Sequence, residues 1–422
     1  MKKMLVKLII SIYYRFDVHL RKSIPITFRA KIRYYLSRWL KSDSLKHIDV
    51  RFDMPPGVNL VGLIQSETGL GQGCRLLAKA LNISGINWLA INSESKTDER
   101  RGDSTLAYKI EPEPKYNTNI IHINPDLMHL INLFLPQQLW NASYTIGVCL
   151  CELESVSNEW IVGLEFFDEI WAPSQFIVET VKRVTNKPVI KVPYGISIED
   201  YTLYSREHFG FPKDIFLFLT MYDTYSSTDR KNPMGSILAF KEAFLPQETQ
   251  VGLVLKINNS DKSNTGELSS IKDALKEYKN IFFIERTLDR SEVNSLIYCC
   301  DSIVSLHRAE GFGLVPAEAM YVGRPVISTD WSATTEFVNS SNACPVRYNL
   351  VKIEKDIGNY KAGMAWAEPD ITHAAEHMRK LYFDREYYDS IASNSKAFIR
   401  SNYSHEHCAD IIKSRLEELE LL

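Results

Sequence analysis

No run of about eighteen uncharged apolar residues occurs in this sequence of 422 residues, so no membrane span is expected. A disulfide framework and a zinc site are also missing. The seven cysteines, Cys74, Cys149, Cys151, Cys299, Cys300, Cys344 and Cys408, are an odd number, and Cys149-x-Cys151 has no second pair and no nearby histidines. They read as buried free thiols in a reducing, cytosolic setting. No Asp-x-Asp element ends a strand, so neither a metal nor a resident cofactor is expected. The dinucleotide fingerprint is broken as well. Gly69-Leu-Gly71-Gln-Gly73 follows an apolar strand, but Cys74 stands where the third glycine belongs and Asn92-Ser93 replace the expected acid. That argues against a nicotinamide oxidoreductase.

What is present fits a globular chain of two domains. Apolar and charged residues make up 45% and 24%, and the length is more than one core ordinarily holds. The overall charge of −3 is unevenly spread. Residues 1–50 carry twelve Lys and Arg against three Asp, which leaves +9 there and −12 on the rest. Met4-Leu-Val-Lys-Leu-Ile-Ile-Ser-Ile-Tyr-Tyr14 and residues 32–40 interleave apolar and aromatic side chains with cations, as an interfacial helix on anionic lipid does. This basic head is expected to meet a membrane surface. Two ordinary packed helices would share the pattern. A signal peptide fits less well, because Lys7 interrupts the apolar stretch and no small-residue cleavage site follows. Nucleic-acid binding finds no support elsewhere in the chain.

Residues 56–200 alternate strand and helix. Strands are expected at 57–64, 87–91, 119–123, 144–150, 169–172 and 189–192, with helices at 75–83 and after Ser174. A second series spans 201–400, with strands at 215–220, 251–257, 281–284, 301–306 and 325–328 and helices at 234–245, 268–278 and 290–298. The boundary falls near 196–214, and 384–422 reads as helical. Such alternation predicts an α/β protein with two doubly wound parallel sheets, whose ligands sit beyond the carboxyl ends of the strands.

The most informative segment is Leu306-His-Arg-Ala-Glu310-Gly-Phe-Gly-Leu-Val-Pro-Ala-Glu318-Ala-Met320, followed by Gly323-Arg-Pro-Val-Ile327. An apolar strand leads into a Gly-Phe-Gly turn, and then into a short helix with Pro316 in its first turn. Glycines let the backbone approach an anion, and the helix start offers it unpaired N–H donors and a favourable dipole. Glu310 and Glu318 are placed to face a sugar and a ribose. Either acid alone would pass for an ordinary helix-start carboxylate. A second cationic feature, Asp229-Arg230-Lys231-Asn232-Pro233, lies between the first strand and helix of the second domain, where Arg and Lys can neutralise a departing diphosphate.

The glutamate pair with seven residues between them, the Gly-Phe-Gly loop and the Pro-Val-Ile strand resemble the signature of retaining glycosyltransferases of the two-Rossmann-domain (GT-B) type, in particular glycosyltransferase family 4 as found in bacterial cell-surface polysaccharide and O-antigen synthesis. The resemblance implies two Rossmann-like domains facing across a cleft, an acceptor domain followed by a donor domain, with the last helix, about 400–422, crossing back to the first. It implies transfer of a hexose from a nucleoside-diphosphate sugar, with GDP-mannose the first expectation, to a glycan or lipid-linked acceptor. The setting would be the inner face of the cytoplasmic membrane. Glu310, Lys231, Arg230, His122 and Asn124 would then be catalytic. Gly69, Gly71, Lys256, Gly311, Phe312, Gly313, Leu314 and Glu318 would hold the donor, and Glu152 the acceptor. Where many relatives carry an arginine just after the strand, this chain has Tyr222-Asp223, and Arg230 would substitute. His122 equally fits a core histidine, and Lys256 a cation at a strand end. A phosphorylase or sugar synthase on the same fold, or a docking subunit without activity, are the alternatives.

Overall fold

The computed structural model describes residues 54–93, 100–132, 134–142, 144–198, 204–260 and 265–422. The basic head, and the membrane attachment expected of it, lie outside them. Among the described residues no helix is long and apolar enough to cross a membrane.

The first half folds as β1 (Val58–Gly62), α1 (Gly69–Ser84), β2 (Trp88–Asn92), β3 (Thr118–His122), α2 (Pro125–Ile131), β4 (Tyr144–Val148), α3 (Asn158–Gly163), β5 (Glu169–Ala172), α4 (Gln175–Lys182) and β6 (Val189–Lys191). Its strands form one parallel sheet in the order β2-β1-β3-β4-β5-β6. β1 and β3 are buried on both faces, which is why they read as short apolar runs without alternation. Polar Asn59 on β1 is tolerated because its amide donates to Tyr116 O at 2.8 Å and Asn119 Oδ1 at 3.0 Å.

The second half continues through β7 (Phe216–Asp223), α5 (Thr228–Lys231), α6 (Pro233–Ala243), β8 (Val251–Asn258), α7 (Thr265–Leu275), β9 (Ile281–Ile284), α8 (Arg290–Cys299), β10 (Ser302–Ser305), α9 (Leu314–Val322), β11 (Val326–Thr329) and β12 (Cys344–Val346). These strands make a second parallel sheet, β12-β11-β10-β7-β8-β9. Two doubly wound sheets are thus present, as the alternation predicted. An antiparallel pair that the sequence reading lacks follows, β13 (Tyr348–Lys352) and β14 (Ala365–Pro369). α10 (Ile371–Phe383), α11 (Arg385–Asn402) and α12 (His405–Glu418) close the order.

α1 begins six residues before the expected start, because Thr68 caps it and accepts from Gly71 N at 3.3 Å. Propensity reads Gly69-Leu-Gly71-Gln-Gly73 as a loop, whereas packing makes it helical. A Cβ on Gly71 would lie 2.1 Å from Ser66 O, and one on Gly73 2.9 Å from Tyr194 Oη. Only glycine lets this helix settle so low on the strand ends.

α12 packs on α1 of the first half, and the largest apolar cluster runs through both halves, from Leu60 and Leu77 to Phe312, Ile399 and Ile412. Arg415 of α12 forms an ion pair with the fully buried Glu169 of β5 at 2.6 Å. In the first sheet the strand order reverses between β1 and β3, in the second between β7 and β10. At such points the connections diverge to opposite faces and leave a crevice beyond the strand ends.

Candidate functional site

The segments that flank the second crevice are those singled out in the sequence. After β7 comes the single turn α5, which carries Arg230 and Lys231. Asn232, at φ +49°, ends that turn and opens α6, its side chain accepting from Gly235 N at 3.2 Å. The same amide donates to Leu306 O at 2.9 Å, and Arg308 N donates to Arg230 O at 2.7 Å, so the cationic turn is tied to the chain leaving β10.

Glu310 stands in that chain, 8% exposed. The Lys231 ammonium donates to its Oε1, and Arg230 Nη1 lies 3.4 Å from its Oε2. Its backbone N–H donates to Ser332 Oγ at 2.9 Å. Burial opposes its charge, but Lys231 and then Arg230 outweigh burial and hold the carboxyl down at about 2. Arg230 also donates to Ala309 O at 2.7 Å, whereas its buried Nε has no hydrogen-bond partner among the described residues. Arg230 and Lys231 are both held against Glu310, and the Glu152 carboxylate also acts on them, so two cations face two acids. Cations fixed in this way can stabilise charge that develops on an incoming group.

Gly311 to Leu314 form the turn into α9. Gly313 has φ +92°, and a Cβ there would meet Thr334 Cγ2 at 2.6 Å, so the left-handed turn is both conformationally and sterically a glycine position. It is the N-cap of α9 and, lacking a side chain, leaves the first N–H groups of the helix without a cap. The Phe312 side chain packs into the domain junction. Its ring is 2% exposed and packs on Tyr194, Phe337 and Tyr403, so only its backbone belongs to the loop.

Glu318, 2% exposed on α9, pairs with Arg290 at the start of α8. Arg290 carried no role in the sequence reading, and neither did Arg75. Arg75 on α1 donates to Ile64 O at 2.8 Å and Ser66 O at 2.7 Å, and pairs with Asp103 at 3.1 Å. Its guanidinium is pulled below the usual arginine value, first by burial, with the charge of Arg290 also acting on it from the other domain. Both cations already have carboxylate partners, Asp103 and Glu318.

On the first-domain side, Gly69 is the first residue of α1 with open space around it, whereas Gly71 is committed to packing. His122 is drawn into the domain junction. Its Nε2 meets Tyr194 Oη at 2.6 Å, Tyr194 packs on Phe312, and burial holds the imidazole at about 4. Asn124 accepts from Leu150 N at 2.9 Å and so shapes the turn that leads to Glu152. A Cβ on Gly311 would stand 3.4 Å from Leu150 Cβ and 3.8 Å from Glu152 Cγ, so this turn touches the Gly-Phe-Gly loop. Lys256, 1% exposed at the end of β8, donates to Asn258 Oδ1 at 2.5 Å and is lowered to about 8 by burial. It is a buried strand-end cation with a partner of its own. His307, fully buried between Ser305 Oγ at 3.0 Å and Thr334 Oγ1 at 3.2 Å, is held at about 4, again by burial first.

The two imidazoles predict an acid weakness. Each has a folded-state value depressed from 6.5 to about 4, so each stays neutral where the unfolded chain takes up a proton. Their contribution is intact above about pH 6.5 and lost as pH falls from there toward 4. At pH 5 the loss is about 2 kcal/mol per histidine. Urea midpoints at pH 7 and pH 5 measure it, and His307→Asn should flatten part of the slope. Glu310 adds its loss only lower, from about pH 4.5 down to 2.

Known proteins share this architecture. Residues 226–398 match the family described as Glycosyl transferases group 1. No curated protein matches the sequence. Among solved structures, HepE of Anabaena, crystallised with UDP and glucose, superposes with a TM-score of 0.63 at 14% identity, over 86% of this chain and 100% of that one. Sucrose-phosphate synthase of Thermosynechococcus elongatus gives 0.62 at 15% identity, over 86% and 99%. A glycosyltransferase of Rickettsia africae gives 0.61 at 12% identity, over 87% and 99%. The fold is therefore the two-domain GT-B fold.

Proposed function

We propose that this protein is a retaining glycosyltransferase that moves a hexose from a nucleoside-diphosphate sugar to a hydroxyl of a glycan or lipid-linked acceptor, in the synthesis of a cell-surface polysaccharide. The observation that carries the reading is the cluster at the second crevice, where Arg230 and Lys231 are locked on Glu310 beside the uncapped start of α9. The family match over 226–398 supports a transferase, because it covers this cluster and Glu318.

In this reading the donor diphosphate lies on the Gly311 to Leu314 amides, with Arg230 and Lys231 beside it. The ribose lies at Glu318 and Arg290, and the sugar hydroxyls at Glu310. The bond from the anomeric carbon to the diphosphate breaks as the acceptor oxygen bonds to the same face, and the acceptor's proton passes to the departing phosphate oxygen. Charge on that phosphate grows through the step, and fixed cations that need not reorganise stabilise it more than they stabilise the bound donor. Glu310 stays ionised throughout the neutral range, so its part is to hold hydroxyls and the two cations. A double displacement, with a carboxylate nucleophile, is not required.

The test is release of nucleoside diphosphate from a panel of nucleotide sugars by the purified chain. GDP-mannose is our first candidate and UDP-glucose, found in a HepE complex, the second. Turnover with sugar phosphates alone would favour a phosphorylase, and no turnover with any donor would favour a docking subunit. In this reading Arg230 and Lys231 supply the positive charge that the diphosphate needs, so the rate is expected to be unchanged in EDTA. A loss restored by Mg²⁺ or Mn²⁺ overturns that expectation. The basic head 1–50 would bring the cleft to a membrane-borne acceptor.

A further inference from the structure

The antiparallel pair β13–β14 is not needed by either Rossmann-like sheet, yet it is strongly fastened. Arg308, two residues before Glu310, grips Glu368 of β14 with both arms of its guanidinium, Nε to Oε2 at 2.6 Å and Nη2 to Oε1 at 3.0 Å. Arg308 O accepts from Ala367 N at 3.0 Å, and Arg308 Nη1 donates to Asp229 O at 2.6 Å. A separate apolar cluster under the hairpin joins Trp366 and Ile353 to Trp331 and Ala309, and to Leu153 of the first domain. The hairpin is therefore braced on the loops that bear Glu310 and Arg230, and is partly seated on the opposite domain.

Its tip crosses the cleft. Asn359 Nδ2 donates to Asp126 Oδ2 at 3.0 Å, and the Tyr360 hydroxyl is hydrogen-bonded to the Glu152 carboxylate while lying close enough to Arg230 and Glu310 to feel their charges. Both acids belong to the first domain, at the start of α2 and in the turn after β4. The tip thus stands between the donor cluster and the side from which an acceptor must come.

We propose that the β13–β14 hairpin is the acceptor-selecting element of the cleft, with Tyr360 and Asn359 positioning Glu152 and Asp126 to grip the hydroxyls of a neutral sugar beside Glu310. This inference rests on the glycosyltransferase reading. Neutrality follows from the charges. Asp126 and Glu152 already act on each other, and burial followed by Glu152 raises Asp126 to about 6, so an anionic acceptor would add a further like charge. Hydroxyl groups donate to carboxylates, and Tyr360, packed on the buried Trp366 with ring centroids 6.3 Å apart, is the aromatic side chain at this edge. Both gripping acids come from the first domain and the residues that position them, Tyr360 and Asn359, from the hairpin, so the grip spans the two halves of the chain.

The experiment uses the full chain with the nucleotide sugar that it turns over and, as acceptors, octyl glycosides of mannose, glucose and galactose, with the octyl glucuronide as the anionic comparison. Tyr360→Phe removes one oxygen and keeps the ring, so the fold is not at risk. It should raise the acceptor KM about tenfold, the loss expected for one hydrogen bond to a charged group, while changing the donor KM less than twofold. Asn359→Asp, which sets a third carboxylate against Asp126, should do the same more strongly at pH 8 than at pH 6. A purely structural hairpin would lower kcat or the melting temperature and leave the acceptor KM alone, and that result overturns the proposal. Preference for the glucuronide, or transfer to none of the neutral glycosides, overturns it too. A wild-type chain that consumes no nucleotide sugar sinks the glycosyltransferase reading and this inference with it.

Discussion

Replacing Lys231 with alanine should lower kcat about 10²- to 10³-fold, the usual loss when one fixed donor to a developing charge is removed. Lys231 and Arg230 are the cations held against Glu310, and only Arg230 would remain. The effect should fall on kcat and kcat/KM alike, because leaving-group charge exists chiefly in the transition state. The variant also leaves a buried carboxylate with one partner fewer, so some stability will be lost as well. Glu310→Gln/Lys231→Ala separates the two effects. It removes the stranded charge and should restore much of the melting temperature, yet remain as slow. Recovery of the rate in the double variant, or a Lys231→Ala enzyme within threefold of wild type, would remove Lys231 from the machinery.

Arg415→Ala should have the largest effect on stability, about 3 kcal/mol, read as a drop in the urea midpoint. Glu169 is fully buried on β5, and Arg415 meets it twice, Nε to Oε1 at 3.1 Å and Nη2 to Oε2 at 2.6 Å. Removing the guanidinium leaves the carboxylate with Trp171 Nε1 at 2.7 Å and a longer bond from Tyr144 Oη at 3.3 Å. Those neutral donors do not repay the desolvation of a buried charge. The partner variant Glu169→Gln in the Arg415→Ala background should recover part of the loss. The same pair fastens α12, and through it the second half of the chain, to the first sheet. A loosened α12 should therefore also weaken turnover, by letting the cleft open. An unchanged midpoint would show that water entering beside Arg415, which is 21% exposed, already screens the charge.

The strands were readable because parallel strands buried on both faces leave uninterrupted apolar runs, and the helices after Asn232, Asp289 and Ser174 because cap residues announce them. The start of α1 was not, since glycines chosen for close packing look like a loop until Ser66, His122 and Tyr194 are seen against them. The β13–β14 pair escaped for a related reason. Its strands are five residues each, without continuous apolar character, and what holds them is Arg308 some sixty residues away in sequence from Glu368. Phe312 reads as part of a phosphate loop by position and turns out to be a core ring. Its neighbours show that a loop can give its backbone to a ligand and its side chain to the domain junction. Arg290 and Arg75 carry no signal in the sequence, and only their pairing with Glu318 and Asp103 marks them.

By itself, then, the sequence determined what depends on neighbours a few residues apart: the two doubly wound sheets, the glycine turn into α9, the spacing of Glu310 and Glu318, and the adjacency of Arg230 and Lys231. Tertiary structure alone decided which of these groups meet. Lys231 finds Glu310 at a separation of 79 residues, Arg290 finds Glu318 at 28, and Asn359 finds Asp126 at 233. The reason is that local propensity and capping act through the chain, whereas such pairings exist only after loop closure has been offset by the burial of both sheets and the clusters between them.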